Sequence, residues 1–393
     1  MKPRVLIVGT AYAIREHRKK LEFLAADFDL TCVTARECPV FGWTETAEAE
    51  SPESYRLVAL PIAGAATAGT RCWYRGMAAI FRDGRYDLIL VENEPWGVLR
   101  WQGWLLKTMF QRKAIFGEFT WENILRSGWK ARILGMIYRM AARTSDFVVG
   151  GNRDAVELIR RHGSAPADAV CIPQFGVDTD HFAPPSETEK RAARTEAGVP
   201  EDAFVIGFCG RLIPEKGLRD LRDAFARLDP AGADLRLVIM GAGELEAELR
   251  ESTRGDSRVH FLPPRKHSEV AHFLQLLDVL VLPSRTIAGP RVWWKEQFGH
   301  ILIEAMACGV VTVGSDCGAI PEVMDDPSVI FPAGDVTALA ALLQTLITQP
   351  GRRDAVRARQ HARVLAAYSQ AAVAAQWSQV FSQQIAARQK KRE

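Results

Sequence analysis

The sequence has no apolar run approaching the roughly 20 residues that a membrane-spanning helix requires. Net charge is also scarce: 50 Lys and Arg stand against 47 Asp and Glu, leaving +3, too little for a nucleic-acid footprint. The seven cysteines (Cys32, Cys38, Cys72, Cys171, Cys209, Cys308 and Cys317) are odd in number and include no C-x2-C pair. Most lie inside apolar runs, so they read as reduced core thiols of a cytoplasmic protein rather than a disulfide framework. Eight histidines are scattered without metal-ligand spacing, and His300 alone is placed in a site. The amino terminus, MKPRVLIVGTAYAIREHRKK, turns polar after a short apolar stretch and reads as a first strand, not a signal peptide.

What is present is the composition of a folded globular chain, 48% hydrophobic and 25% charged over 393 residues, enough for two domains with separate cores. The first half alternates continuous apolar runs (RVLIVG, FDLTCVTA, YRLVALPI, YDLILVENEP, KAIFGEFT, DFVVGGN) with helical patterns, one near Trp73 to Phe81. Continuous apolar strands between helices predict a parallel sheet covered on both faces, a doubly wound α/β domain. Such sheets bind ligands at the carboxyl ends of their strands, here Gly9 to Tyr12, Glu92 to Trp96, Glu118 to Asn123 and Gly150 to Arg153. Residues 174 to 203 are rich in Pro, Gly and charge and mark a boundary. The second half repeats the alternation with FVIGFCGRL, LRLVIMG, VHFLPP and DVLVLPS. The expected domains are therefore 1–180, a linker at 181–203, a second doubly wound domain at 204–365, and a terminal helical segment at 366–393.

The stretch from Lys295 to Met324, KEQFGHILIEAMACGVVTVGSDCGAIPEVM, carries the strongest chemical signal. Its middle reads as a short buried helix ended by Gly309. Glu304 sits within it among Ile301, Leu302, Ile303, Ala305 and Met306, where a carboxylate costs several kcal/mol unless it is paired. Glu296 lies eight positions upstream. The two carboxylates bracket a helix start at Phe298, Gly299, His300 and Ile301, whose free N–H groups favour an anion. Upstream, Gly210-Arg211-Leu212-Ile213-Pro214-Glu215-Lys216-Gly217 follows a strand, so that Arg211 and Lys216 can converge on one diphosphate. Gly241-Ala242-Gly243 is a tight strand-to-helix turn, read equally as plain turn geometry or as close backbone approach to a ligand.

The Glu-x7-Glu spacing, the GAIPE turn and the G-R-L-x-x-E-K-G loop resemble the family-four retaining glycosyltransferases of GT-B fold, two Rossmann-like domains facing across a cleft. The resemblance implies that Glu304 accepts from the ribose of a nucleotide sugar and that Glu296 faces the sugar hydroxyls. It also implies that Arg211 and Lys216 hold a UDP- or GDP-linked diphosphate without metal or other cofactor. Gly9, Gly210, Gly241, Phe298, Gly299, His300 and Ile301 join that donor set. A final helix of the family crosses back onto the first domain, expected here from Ala371 to Arg388. On the acceptor side the family often has a His where KAIFGEFTWEN stands. Glu118 or Glu122, beside Trp121, replaces it, either to orient an acceptor hydroxyl or to pair with Arg126. The departing phosphate can take the acceptor proton, so a retaining transfer does not demand a separate strong base.

Asp178-Thr179-Asp180 matches a DxD metal motif, but it opens the boundary segment instead of following a strand, and no metal is expected. The expected function is transfer of a hexose from a nucleotide-diphosphate sugar to a saccharide or lipid-linked saccharide. Alternatives are another GT-B enzyme, such as an epimerase or a phosphorylase, or a non-catalytic nucleotide-sugar-binding partner. Ten tryptophans, among them Trp96, Trp101, Trp104, Trp121, Trp129 and the pair Trp293-Trp294, suit sugar stacking or a membrane interface. The basic amphipathic segments at Arg15 to Leu24 and Val98 to Lys113 read either as core helices with solvated faces or as docking elements for an anionic membrane surface, which would place the protein at the inner face.

Overall fold

The computed structural model describes residues 1–40, 43–47, 54–64, 70–126, 128–162, 169–230, 232–288 and 293–391. The chain forms two units, Met1–Gly176 with Gln370–Glu393, and Val177–Ser369.

The first unit is built on a seven-stranded sheet. Its order is Val170–Cys171, Phe147–Gly150, Ile115–Thr120, Leu88–Glu92, Arg4–Gly9, Asp29–Ala35, Arg56–Leu60, all parallel. The continuous apolar run of its central strand has a direct cause. Leu6 and Val8 pack with Met77, Phe81, Leu99 and Leu106, while Val5 and Ile7 pack with Leu21, Leu24, Trp377 and Phe381. Helices thus cover both faces, and neither row of side chains can be polar. The last helix, Gln370–Lys390, belongs to this unit, anchored by fully buried Trp377, whose Nε1 donates to the Pro173 carbonyl at 2.9 Å.

The helix expected near Trp73 starts later. Cys72–Tyr74 is a strand paired antiparallel with Ile62–Gly64, and the helix spans Met77–Asp83. Cys72 and Tyr74 are buried and Trp73 is exposed, the period-two pattern of a hairpin.

The second unit has a six-stranded parallel sheet in the order Val259–Leu262, Leu235–Met240, Phe204–Cys209, Val279–Leu282, Val311–Ser315, Ile330–Phe331. Chain order reverses between Phe204–Cys209 and Val279–Leu282, and a crevice opens at the carboxyl ends of strands at such a switch point. Residues 181–203, read above as a linker, contain a helix of this unit, Glu187–Glu196. Its polar composition hid it, although Ser186 and Glu189 form a capping box that the S-x-x-E spacing announces. Arg194 ties it to the sheet through Asp278, Nη2 to Oδ2 at 2.8 Å.

Candidate functional site

The segments of the second unit singled out in the sequence meet at its switch point. Lys216 ends a short turn, Pro214–Lys216, after strand Phe204–Cys209. Gly217 follows with φ +66°, and a Cβ there would lie 1.8 Å from the Pro283 carbonyl oxygen. Only glycine lets this loop lie against the end of strand Val279–Leu282. The lysine Nζ donates to Glu296 Oε2 at 2.6 Å, and Ser284, next to Pro283, donates its hydroxyl to the same oxygen at 2.8 Å. Glu296 is 7% exposed and positioned from behind by the GAIPE turn. Ala319 N–H donates to its carbonyl at 3.0 Å, and a Cβ on Gly318 would sit 2.1 Å from that carbonyl oxygen. Trp294 lies beside the pair, with Lys216 Nζ 4.9 Å from its ring centroid. The Trp293 side chain falls outside the described residues.

Glu304 lies on the helix His300–Ala307, which begins at Gly299. The partner it requires is His267, whose Nε2 stands 2.8 Å from Glu304 Oε1. Burial pushes the Glu304 carboxyl up, but the His267 charge and hydrogen bond, with His300 and His181, outweigh burial and hold it below its ordinary value. An ionised carboxylate only accepts, so His267 Nε2 carries the proton of this bond. His300 behaves differently: burial lowers it to about 4, so its imidazole is neutral near pH 7. Its ring packs on Phe298 at 4.7 Å between centroids, and Phe298 in turn meets Tyr368 at 5.6 Å. Ile301 continues the first turn of the same helix.

Gly210 and Gly241 terminate the adjacent strands Phe204–Cys209 and Leu235–Met240, joined by a bond from Gly210 N–H to the Met240 carbonyl at 3.1 Å. Arg211 follows Gly210 with an exposed side chain. One face of the second unit therefore holds a Lys–Glu–Ser cluster, a helix start and a buried His–Glu pair. That set can accept hydroxyl hydrogens on both sides of an anion. Sequence reading missed His267 and Ser284. His267 closes the VHFLPPRKH segment, but no local pattern links it to a carboxylate 37 positions away.

The first unit departs from expectation at Glu118. This residue is 2% exposed and accepts from Arg100 Nε at 2.7 Å. Arg100, itself fully buried, also donates to the Ala141 carbonyl, Thr144 Oγ1 and Ser145 Oγ. Glu118 is a structural anchor and is withdrawn from the acceptor-side set. Glu122 keeps the expected partner, Arg126 Nη2 at 3.6 Å, and burial raises its carboxyl. Trp121 donates its indole N–H to Gln174 Oε1 at 2.9 Å. Next to them Glu94, within the strand end Glu92 to Trp96 but given no role of its own above, accepts from the Thr120 hydroxyl and from Trp121 N–H at 3.1 Å. Burial raises its carboxyl to about 7. Gly9 pairs in register with Glu92, and Glu92 is fully engaged with Tyr12 (2.7 Å), Gln174 (2.8 Å) and Lys20 (3.2 Å). Asp178 turns inward on its own loop, its Oδ1 accepting from Asp180 N–H at 3.1 Å.

Residues 189–364, most of the second unit, match the model of the family described as Glycosyl transferases group 1. A D-inositol 3-phosphate glycosyltransferase of Saccharomonospora viridis is 31% identical over 250 residues, 59% of this chain and 54% of that protein. A GDP-mannose-dependent monoacylated alpha-(1-6)-phosphatidylinositol monomannoside mannosyltransferase of Corynebacterium glutamicum is 32% identical over 196 residues, covering 49% and 51%. The chain thus spans about half the length of these curated relatives. Among solved structures, Anabaena HepE in complex with UDP aligns over 97% of this chain and 100% of its own with a TM-score of 0.71 at 17% identity, a likeness of fold. The fold is GT-B, two parallel-sheet α/β units.

Proposed function

We propose that the chain is a retaining hexosyltransferase, a reading supported by the match of residues 189–364 to the group 1 glycosyltransferases and by the GT-B fold. The donor is a nucleotide-diphosphate sugar, UDP- or GDP-linked, and the acceptor is a hydroxyl of a saccharide or lipid-linked saccharide. The observation that carries this reading is the pairing of two different carboxylate environments around one helix start: Glu304 held by His267, and Glu296 held by Lys216 and Ser284.

Glu304 accepts from the ribose hydroxyls, and the N–H groups at Gly299 and His300 face the diphosphate. Lys216 turns from Glu296 toward the leaving phosphate, and Arg211 adds a second positive charge. The C1–O bond to the diphosphate breaks while C1 bonds the acceptor oxygen on the same face. The acceptor proton passes to a phosphate oxygen, and charge accumulates where Lys216 and Arg211 neutralise it. Glu296 accepts from hydroxyls of the transferred sugar. Trp121, Glu122 and Glu94 of the first unit form the acceptor-side set. The two relatives, a D-inositol 3-phosphate glycosyltransferase and a phosphatidylinositol monomannoside mannosyltransferase, support a polyol or lipid-linked acceptor.

The test is proton NMR of the product formed from UDP- and GDP-hexoses, with and without EDTA. An α-linked donor should give an α-linked product, at a rate that chelation leaves within about twofold, since Arg211 and Lys216 supply the charge a metal would. Inverted anomeric configuration would overturn the retaining assignment. Loss of turnover in EDTA restored by Mn²⁺ would overturn the metal-free one and return attention to Asp178 and Asp180.

A further inference from the structure

The helix Gly128–Arg143 in the first unit carries apolar residues on two faces, one buried in the fold and one exposed. Gly135, Tyr138, Ala141 and Ala142 are buried. On the opposite side Trp129 (68% exposed), Ile133 (50%), Met136 (58%) and Met140 (51%) form a single stripe at helical spacing. Isolated exposed apolar residues are ordinary, but a continuous row of four large ones marks a surface that meets something. Leu125, 48% exposed, precedes the same helix.

Charge identifies the occupant. From Ile124 to Arg143 the chain carries five basic residues, Arg126, Lys130, Arg132, Arg139 and Arg143, and no acidic one. Arg132, Arg139 and Arg143 are exposed and fall along one flank of the stripe. A second copy of this chain would bring that flank against its own like charges, which opposes self-association. A water-facing role leaves the stripe unexplained. A bilayer with anionic headgroups satisfies both features at once, taking the apolar row to the acyl boundary and the guanidinium groups to the phosphates.

We propose that the outward face of Gly128–Arg143 docks the protein on an anionic membrane surface. Of the two segments expected on sequence grounds, the helix Val98–Phe110 also exposes large apolar residues, Val98, Leu105, Met109 and Phe110, and lies in the same unit. In the segment Arg15 to Leu24, Lys20, Leu21 and Leu24 are buried in the fold, and Phe23 alone among its large apolar residues is exposed. The apolar face of Arg15 to Leu24 is spent on the core, whereas the outward row of Gly128–Arg143 is exposed to solvent. The proposal is independent of the donor site, since it concerns different residues on the other unit.

The experiment is co-sedimentation of the full chain with vesicles of phosphatidylcholine alone or mixed with phosphatidylglycerol, at low and high salt. The natural protein should pellet with the mixed vesicles, weakly with pure phosphatidylcholine, and less as salt screens the arginines. The triple variant Trp129→Ser, Ile133→Ser, Met136→Ser should lose on the order of 100-fold in vesicle affinity, and Phe23→Ser should lose none. These side chains are exposed, so nucleoside diphosphate binding and melting temperature serve as folding controls and should not move. Equal affinity of the triple variant, indifference to phosphatidylglycerol, or a concentration-dependent dimer abolished by the triple variant would each overturn the proposal.

Discussion

Lys216→Ala is expected to lower kcat/KM for sugar transfer by about 10²–10³-fold, the usual loss when one donor aimed at developing charge is removed. Lys216 has a dual position. Without donor it holds Glu296 at 2.6 Å, with both side chains largely shielded from water. With donor present it neutralises the diphosphate. Deleting it thus removes transition-state stabilisation and leaves a buried carboxylate with Ser284 as its described hydrogen-bond donor. The two consequences separate in the double variant Lys216→Ala, Glu296→Gln, where no unpaired charge remains. Its melting temperature should recover toward that of the natural protein while transfer stays low. Recovery of transfer together with stability would mean that Lys216 serves only to neutralise Glu296.

The largest expected effect on stability lies at Arg100 in the first unit. Arg100→Ala should destabilise the protein by about 3–5 kcal/mol, because it leaves Glu118 charged, 2% exposed and without its 2.7 Å partner. For a unit of this size that corresponds to a fall in melting temperature of roughly 6–20 °C. The helix Val98–Phe110 would also lose its polar tie to the Ala141 carbonyl, at 2.7 Å. Replacing both partners by Leu should cost far less than the single change, since burying an uncompensated charge is the expensive part. Thermal melts of the two variants decide the matter. A single variant within about 1 kcal/mol of the natural protein would show that water reaches Glu118 and would reopen a chemical role for it.

The contrast between Glu118 and Glu304 shows how much of the molecule its sequence discloses. Both are carboxylates in apolar surroundings, and the sequence shows that each needs a partner. For Glu304 the neighbouring signals are local: Glu296 is eight positions away and the GAIPE turn follows within one strand, so the site was legible. For Glu118 the partner lies 18 positions upstream, inside a helix whose other residues look amphipathic and surface-facing. Its burial depends on the helix Gly128–Arg143 closing over Arg100, a tertiary event without local signature. His267 and Lys20 escaped notice for the same reason. Lys20 reads as one of a basic run, yet the fold buries it completely against Glu92 and the Trp377 ring, residues 72 and 357 positions away. The parallel sheets were legible because burial on both faces forces continuous apolar strands. The helix Glu187–Glu196 was not, because an exposed polar helix shares the composition of a linker.

The central claim is that Glu304 and Glu296 face different parts of one donor, and calorimetric titration of UDP and GDP into the natural protein, Glu304→Gln and Glu296→Gln tests it most directly. Glu304→Gln should weaken binding of the accepted nucleoside diphosphate by about 10-fold or more, the loss of a charged hydrogen bond to the ribose worth about 1.5–3 kcal/mol. Glu296→Gln should bind it as tightly as the natural protein or more tightly, because Lys216 is released toward the phosphates, while its transfer rate falls. Equal losses of diphosphate affinity in the two variants, or unchanged affinity in Glu304→Gln, would contradict the division of the site.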